Sequence, residues 1–159
     1  MPIVPSRAER TRALVRKLSS ERAAERDSAV AQLTLAGPRV IGPLRDSLAE
    51  APARARLAAL EVLERLDDPS ALPSILELVD DSSPSVSVRA LELAGGLPDA
   101  ASVSALAGAQ ATPPLPRQRA AAAALAALHQ AGILEALAPL VDTLHDEEED
   151  PGLRLLLLD

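Results

Sequence analysis

The side chains that could carry chemistry in this 159-residue sequence are few and poorly grouped. No cysteine occurs, which removes the thiolate as a nucleophile or metal ligand and removes any disulfide framework. Of the two histidines, His145 stands directly before Asp146, Glu147, Glu148, Glu149 and Asp150. His145 with Asp146, Glu147 and Glu149 offers the ligand types that a divalent cation takes. Consecutive carboxylates diverge from one another, however, and no glycine-turned loop folds them toward one point, so the run reads as a solvated loop. The spacing puts His129 in a turn between two helices, and the two histidines form no cluster. These residues predict no catalytic centre and no metal or cofactor site.

Composition narrows the class further. Phe, Tyr and Trp are all absent, so a core must be built from Ala, Leu, Val and Ile, which suits thin helices packed at close range. The same absence removes the platforms on which single strands and flipped bases stack, and a net charge of −7 opposes the phosphate backbone. Nucleic acid is therefore not an expected partner. The chain is 48% hydrophobic and 25% charged, the balance of a globular domain. No apolar run is long enough to span a bilayer, and residues 1–20 lack the apolar centre of a signal peptide, so a cytoplasmic location is expected.

Any functional surface must be positioned by a tandem repeat. Its clearest copy covers residues 54–79: a helical run ending at Leu66, the turn Asp67-Asp68-Pro69-Ser70, and a second run carrying Leu72, Ile75, Leu76 and Val79. A shift of thirty-one residues in either direction reproduces the apolar skeleton. The last apolar residue of the first helix falls at Leu35, Leu66, Leu97 and Leu128. The second helix repeats Ile41, Leu72, Val103 and Leu134, then Leu44, Ile75, Leu106 and Leu137. A further column reads Leu48, Val79, Gln110 and Val141, and a small-residue column in the first helix reads Ser28, Ala59, Ala90 and Ala121. The predicted fold is all-α, an α-solenoid of about four helical-hairpin repeats.

Three regions follow. Residues 1–20 are an extended lead-in with Pro2 and Pro5, then a basic capping helix to about Leu18 with Ser6 as N-cap. Its arginines would also suit a membrane surface, but its apolar stripe of Ala13, Leu14 and Leu18 is narrow. Residues 21–145 hold the four repeats. In the first, Gly37 stops one helix, Pro38 starts the next, and Pro43 is expected to kink it, as Pro139 does in the fourth. Ser70 is a candidate N-cap in the second. Gly95 and Gly96 make the third the loosest, since each helical glycine costs about 1 kcal/mol relative to alanine. Residues 112–116, Thr-Pro-Pro-Leu-Pro, read as a rigid linker, with a proline-rich ligand as the alternative. Residues 146–159 are an acidic loop and a half repeat bearing Leu153, Leu155, Leu156, Leu157 and Leu158, which either caps the stack, docks on another chain, or begins a further repeat.

The unit has Pro-x-Val or Pro-x-x-Arg opening its first helix, an Asp-Pro turn, and Leu-Pro-x-Ile-Leu-x-Leu-Val-Asp in its second. It resembles the HEAT-like repeats of bacterial proteins, including those of phycobilin-lyase type, over residues 21–159. That resemblance implies a right-handed superhelix with terminal capping helices, its concave face lined by the first helix of each repeat. It also implies a Val-Arg pair that reaches an acidic turn residue, which Arg56 and Arg154 match while Ser87 and Gln118 do not. Proteins of alkylpurine DNA glycosylase type share such repeats but rely on aromatics and a basic concave channel; this sequence lacks the first and shows little of the second, which leaves a DNA-glycosylase-like protein as a remote alternative.

With the buried columns turned inward, Arg54, Leu57, Ala58, Glu61 and Arg65 face outward, then Val88, Arg89 and Glu92, then Arg119, Ala123 and Ala127. This mixture of charge and small apolar groups suits a partner helix or strand. The expected function is a non-catalytic scaffold or adaptor that binds a protein through this face or through Leu155, Leu156 and Leu158 at the C-terminal end. The alternative is an accessory or chaperone subunit of a modifying enzyme such as a lyase. Basic residues crowd one end of the sequence and acidic residues the other, so weak, salt-sensitive head-to-tail self-association is a further expectation.

Overall fold

The computed structural model describes residues 6–145, with side chains over residues 6–141. The lead-in of residues 1–5, the acidic run and the half repeat of residues 146–159 lie outside the described residues, as does the side chain of His145. Among the described residues every regular element is helical. The chain divides into two compact units, Met1–Ser74 and Ile75–Asp159.

The first unit opens with α1 (Arg7–Lys17), held by a capping box. The Ser6 hydroxyl accepts the Glu9 N–H at 3.2 Å, and the Glu9 carboxylate accepts the Ser6 N–H at 2.6 Å. Thr11, Val15 and Leu18 are buried where α1 packs on α2 (Ala23–Ala36) and α3 (Ile41–Leu48), so α1 covers the first hairpin. Gly37, at φ 80°, closes α2, and Pro38 opens the 3₁₀ turn Pro38–Val40 that leads into α3. α4 (Ala53–Leu66) then packs against both α2 and α3.

The repeat is not uniform here. α2 and α4 start and finish thirty residues apart, whereas Pro38 and Pro69 are separated by thirty-one. The extra residue lies in the Asp67-Asp68 turn, where the first hairpin has Gly37 alone. Ala29, Val30 and Leu33 therefore take the buried places of Ala59, Leu60 and Leu63. Leu35, expected in the anchor column of Leu128, is instead 87% exposed, and Ser28 is exposed where a core position was expected. Asp67 makes the turn in the left-handed region, at φ 47°. Asp68 caps the 3₁₀ turn Pro69–Ala71 by accepting the Ser70 N–H at 2.9 Å and its hydroxyl at 2.5 Å, so Ser70 is a donor to the cap rather than the cap.

The short helix α5 (Leu72–Leu76) crosses from the end of the first unit into the second. Pro43, Pro73 and the later Pro139 all fall in the first turn of an α segment that follows a 3₁₀ turn. The first N–H groups of a helix have no partner within it, so these three second helices begin as a 3₁₀ turn plus a fresh α segment instead of bending around an internal proline, whereas α7 of the third repeat starts without a 3₁₀ turn.

In the second unit α8 (Leu115–Gln130) is central, packed against α6 (Pro84–Gly96), α7 (Ala101–Gln110), the 3₁₀ turn Leu134–Ala136 and α9 (Leu137–His145). The helix expected to be loosest is half of the most extensive described contact, that of α6 with α8. Gly95 explains it: a Cβ there would lie 2.6 Å from the Ala124 Cα and 2.7 Å from its Cβ. Glycine on one helix and the alanine run Ala120–Ala124 on the other let the two backbones nearly touch, with Ala90, Leu91, Ala94, Ala121, Ala122 and Leu125 buried around the contact. The peptide bond between Pro113 and Pro114 is cis, and α8 starts immediately afterwards. His129 lies inside α8, half-buried, rather than in a turn, because that helix continues to Gln130.

Candidate partner-binding faces

In the first unit the candidate face is on α4. Ala55, Ala58 and Ala59 turn inward and Leu57 is half-buried, so Ala58 is a packing residue and not an outward one. The start of α4 is tied back on itself by Arg56, whose guanidinium donates to the Ala51 carbonyl. Arg54 reaches further: its Nε donates to the Ser19 carbonyl at 3.1 Å and its Nη2 pairs with Glu21 at 2.5 Å, fixing α4 to the connection between α1 and α2. Two turns on, Glu61 and Arg65 form an i,i+4 pair at 2.6 Å, with both side chains about half exposed. Such a pair contributes roughly 0.3–0.5 kcal/mol, so a partner can exchange it for new contacts at little cost. On the inward side of α4 a groove of about 400 Å³ lies between the end of α1, the end of α3 and the start of α4, with Val15, Leu48, Ala55 and Ala59 in its lining and Arg16 and Asp46 also lining it.

In the second unit α6 contributes Val88, half-buried, and the ion pair of Arg89 with Glu92 at 3.1 Å. Arg119, Ala123 and Ala127 are exposed on α8. The structure thus brings Arg54, Leu57, Glu61 and Arg65 onto one helix, and Val88, Arg89 and Glu92 onto another. Leu155, Leu156 and Leu158 lie outside the described residues.

The residue that holds the second face in place was not singled out by the motif. Arg117, at the start of α8, is buried, donates from Nε to the Val79 carbonyl at 3.4 Å, and pairs through its Nη2 with Asp80. Ser87 donates to the same Val79 carbonyl at 2.6 Å. The expected Val-Arg ladder had no arginine at Gln118; the arginine one residue earlier supplies the link. Its signal in the sequence is a cation in an otherwise apolar column, Ala55, Val86 and Arg117, thirty-seven residues after an aspartate. Ser87, Val88, Pro84, Pro113, Pro116 and Arg117 line a groove of about 250 Å³ beside these contacts.

Three carboxylates are held below the usual range by hydrogen bonds. Glu9 is lowered first by the Ser6 N–H and then its hydroxyl, Glu25 by the Ser20 hydroxyl and then Arg22, and Asp68 by the Ser70 hydroxyl and then its N–H. All three serve caps and turns, not the faces. Among the described residues no three His, Asp or Glu side chains gather as a metal site would require, and no helix is long and apolar enough to cross a membrane.

Comparison with known proteins follows the same lines. The profile of the family described as HEAT repeats matches residues 41–126, more than half of the chain. A solved chain from the complex of CpcE and CpcF of phycocyanin lyase from Nostoc sp. PCC7120 superposes with a TM-score of 0.73 at 20% identity. The match covers 93% of this chain and 95% of that one, and it shows a shared fold, that of an all-α solenoid. No curated protein matches the sequence.

Proposed function

Because the chain belongs to the HEAT-repeat family, we propose that it is a non-catalytic protein-binding scaffold that offers a partner the outward face of α4 in its first unit or that of α6 in its second. One observation carries this reading. Each face sets a half-buried aliphatic residue, Leu57 or Val88, beside an exposed ion pair that is cheap to exchange, Glu61 with Arg65 or Arg89 with Glu92. That arrangement gives a helix or strand an apolar seat flanked by charges of both signs, which set register. The chemistry of the chain points the same way, since it offers no thiol and no aromatic platform.

The test is capture from the native cell extract with the intact chain beside a face-swapped variant, Glu61→Arg with Arg65→Glu and Arg89→Glu with Glu92→Arg. The swap keeps net charge and both intrahelical pairs, so helicity should be unchanged, while the charge pattern met by a partner is inverted. A partner retained by the intact chain and lost from the variant supports the reading; equal retention refutes use of these faces.

A second reading has a specific observation behind it. The solved chain of similar fold comes from a complex of two lyase proteins, which favours an accessory subunit of a modifying enzyme. The two differ in a rate: an accessory subunit changes the turnover of the enzyme it binds, whereas a scaffold only co-localises it.

A further inference from the structure

The groove of about 250 Å³ in the second unit is walled largely by proline. Pro84 opens α6, Pro113 and Pro114 precede α8, and Pro116 lies in the first turn of α8, with Val88 and Arg117 beside them. All four prolines are exposed and Val88 is half-buried, so flat apolar rings line an accessible surface. The volume falls below the roughly 300–1,000 Å³ of small-molecule sites and suits a single bulky side chain.

The lining selects which side chain that is. Proline rings pair with aromatic rings, the complementarity by which proline-rich segments dock in aromatic-lined grooves; here the two roles are exchanged. A guanidinium adds to the preference, because a planar cation stacks on an aromatic face. Arg117 is already fixed: its Nε donates to the Val79 carbonyl at 3.4 Å, its Nη2 pairs with Asp80, and its side chain is only 11% exposed. Such bonds use the edge of the guanidinium and leave a flat face for stacking. An aliphatic ligand would gain burial but not this term.

The sequence has no Phe, Tyr or Trp, so neither this chain nor a second copy of it can supply the ring. The groove also has a sign. Asp80, whose side chain is 81% exposed, and Asp81, which accepts the Ser83 N–H at 2.8 Å, set two carboxylates against the one guanidinium of Arg117, leaving one negative charge in excess. A cation on the ligand complements it.

We propose that this groove docks a partner polypeptide carrying an aromatic side chain next to a lysine or arginine, the ring seated among the prolines and on Arg117 and the cation beside Asp80 and Asp81. Val88 belongs both to the groove and to the face of α6, so the inference rests on the reading of α6 as a binding face and names the anchor that face takes.

The test titrates the isotope-labelled full chain with the capped peptide acetyl-Gly-Trp-Lys-amide, beside one with Leu in place of Trp and one with Glu in place of Lys. The chain has no aromatic fluorophore, so indole emission reports the peptide alone. Saturable binding is expected, with amide shifts at Ser87, Val88 and Arg117, about fivefold weaker for the leucine peptide and about threefold weaker for the glutamate peptide. Pro84→Ala with Pro116→Ala removes two rings at helix starts where alanine is well tolerated, so circular dichroism should not change while the tryptophan peptide binds several-fold more weakly. Asp80→Asn should abolish the preference for lysine over glutamate. Equal binding of the tryptophan and leucine peptides, shifts confined to other residues, no saturation, or unchanged affinity in the proline variant would each overturn the proposal. No captured partner enters this assay, so a failed titration strikes the groove and a failed capture strikes the faces.

Discussion

Replacing Gly95 by alanine tests how tightly α6 and α8 are packed. The added Cβ would sit 2.6 Å from the Ala124 Cα, 2.7 Å from its Cβ and 3.2 Å from its carbonyl oxygen. Carbon atoms prefer separations of about 3.5–4.0 Å, so the helices must part by roughly 1 Å. The obstacle is mostly backbone, and no side-chain rotation relieves it. A gap of that size forfeits about a quarter to a half of the dispersion attraction across the contact, and overpacking of a core typically costs about 1–3 kcal/mol. Alanine returns about 1 kcal/mol of helix propensity. With the clash this short, the upper part of the overpacking range applies, leaving a net loss of about 2 kcal/mol. Gly108→Ala in the same unit is the control, because a Cβ there meets nothing within 4 Å and lies in α7; it should gain about 0.5–1 kcal/mol. Urea unfolding followed by far-UV circular dichroism is the appropriate assay, since the chain has no aromatic fluorophore. A Gly95→Ala variant as stable as Gly108→Ala would refute the close approach.

Other substitutions probe the remaining polar anchors. Gln110 is buried with neither its amide nitrogen nor its oxygen hydrogen-bonded, in a column otherwise filled by Leu48, Val79 and Val141, so Gln110→Leu should stabilise the chain by about 1–3 kcal/mol in the same unfolding assay. Arg117→Ala should destabilise it by about 1.5–3 kcal/mol, through lost bonds and lost packing of its stem. Asp80→Ala, at the exposed end of that pair, should cost less than about 1 kcal/mol, and equal costs would contradict the buried anchor. Because Glu9 is held below its ordinary range, the stability it gives the start of α1 is present above that range and lost as pH falls through its lowered value. Amide signals of α1 followed by NMR in acid should show this fraying, and Glu9→Gln should remove the pH dependence.

The period, the hairpins, the N-cap at Ser6 and the stop at Gly37 were legible because each rests on local residue chemistry. Leu35 was misplaced for a physical reason: one residue added to the Asp67-Asp68 turn shifts one helix register while preserving the other, and a single fixed offset cannot represent both. Gly95 read as a weakness because propensity is a property of one helix, whereas its value lies in the approach of a second. Ser70 and Asp68 are both good capping types, and only the geometry of the turn decides which accepts. Arg117 was missed because the motif expected its cation one residue later, and burial rather than residue type reveals its role. Among the face residues, pairing of Glu61 with Arg65 and of Arg89 with Glu92 follows from helical spacing, but the long reach of Arg54 to Ser19 and Glu21 does not.

The claim that matters most is that the faces of α4 and α6 bind a protein. Hydroxyl-radical footprinting of the chain, free and with its captured partner, reads this at single side chains. The account predicts that Leu57 and Val88 become protected while exposed Leu35 is oxidised equally in both samples. Unchanged oxidation at Leu57 and Val88, with protection elsewhere, would contradict it.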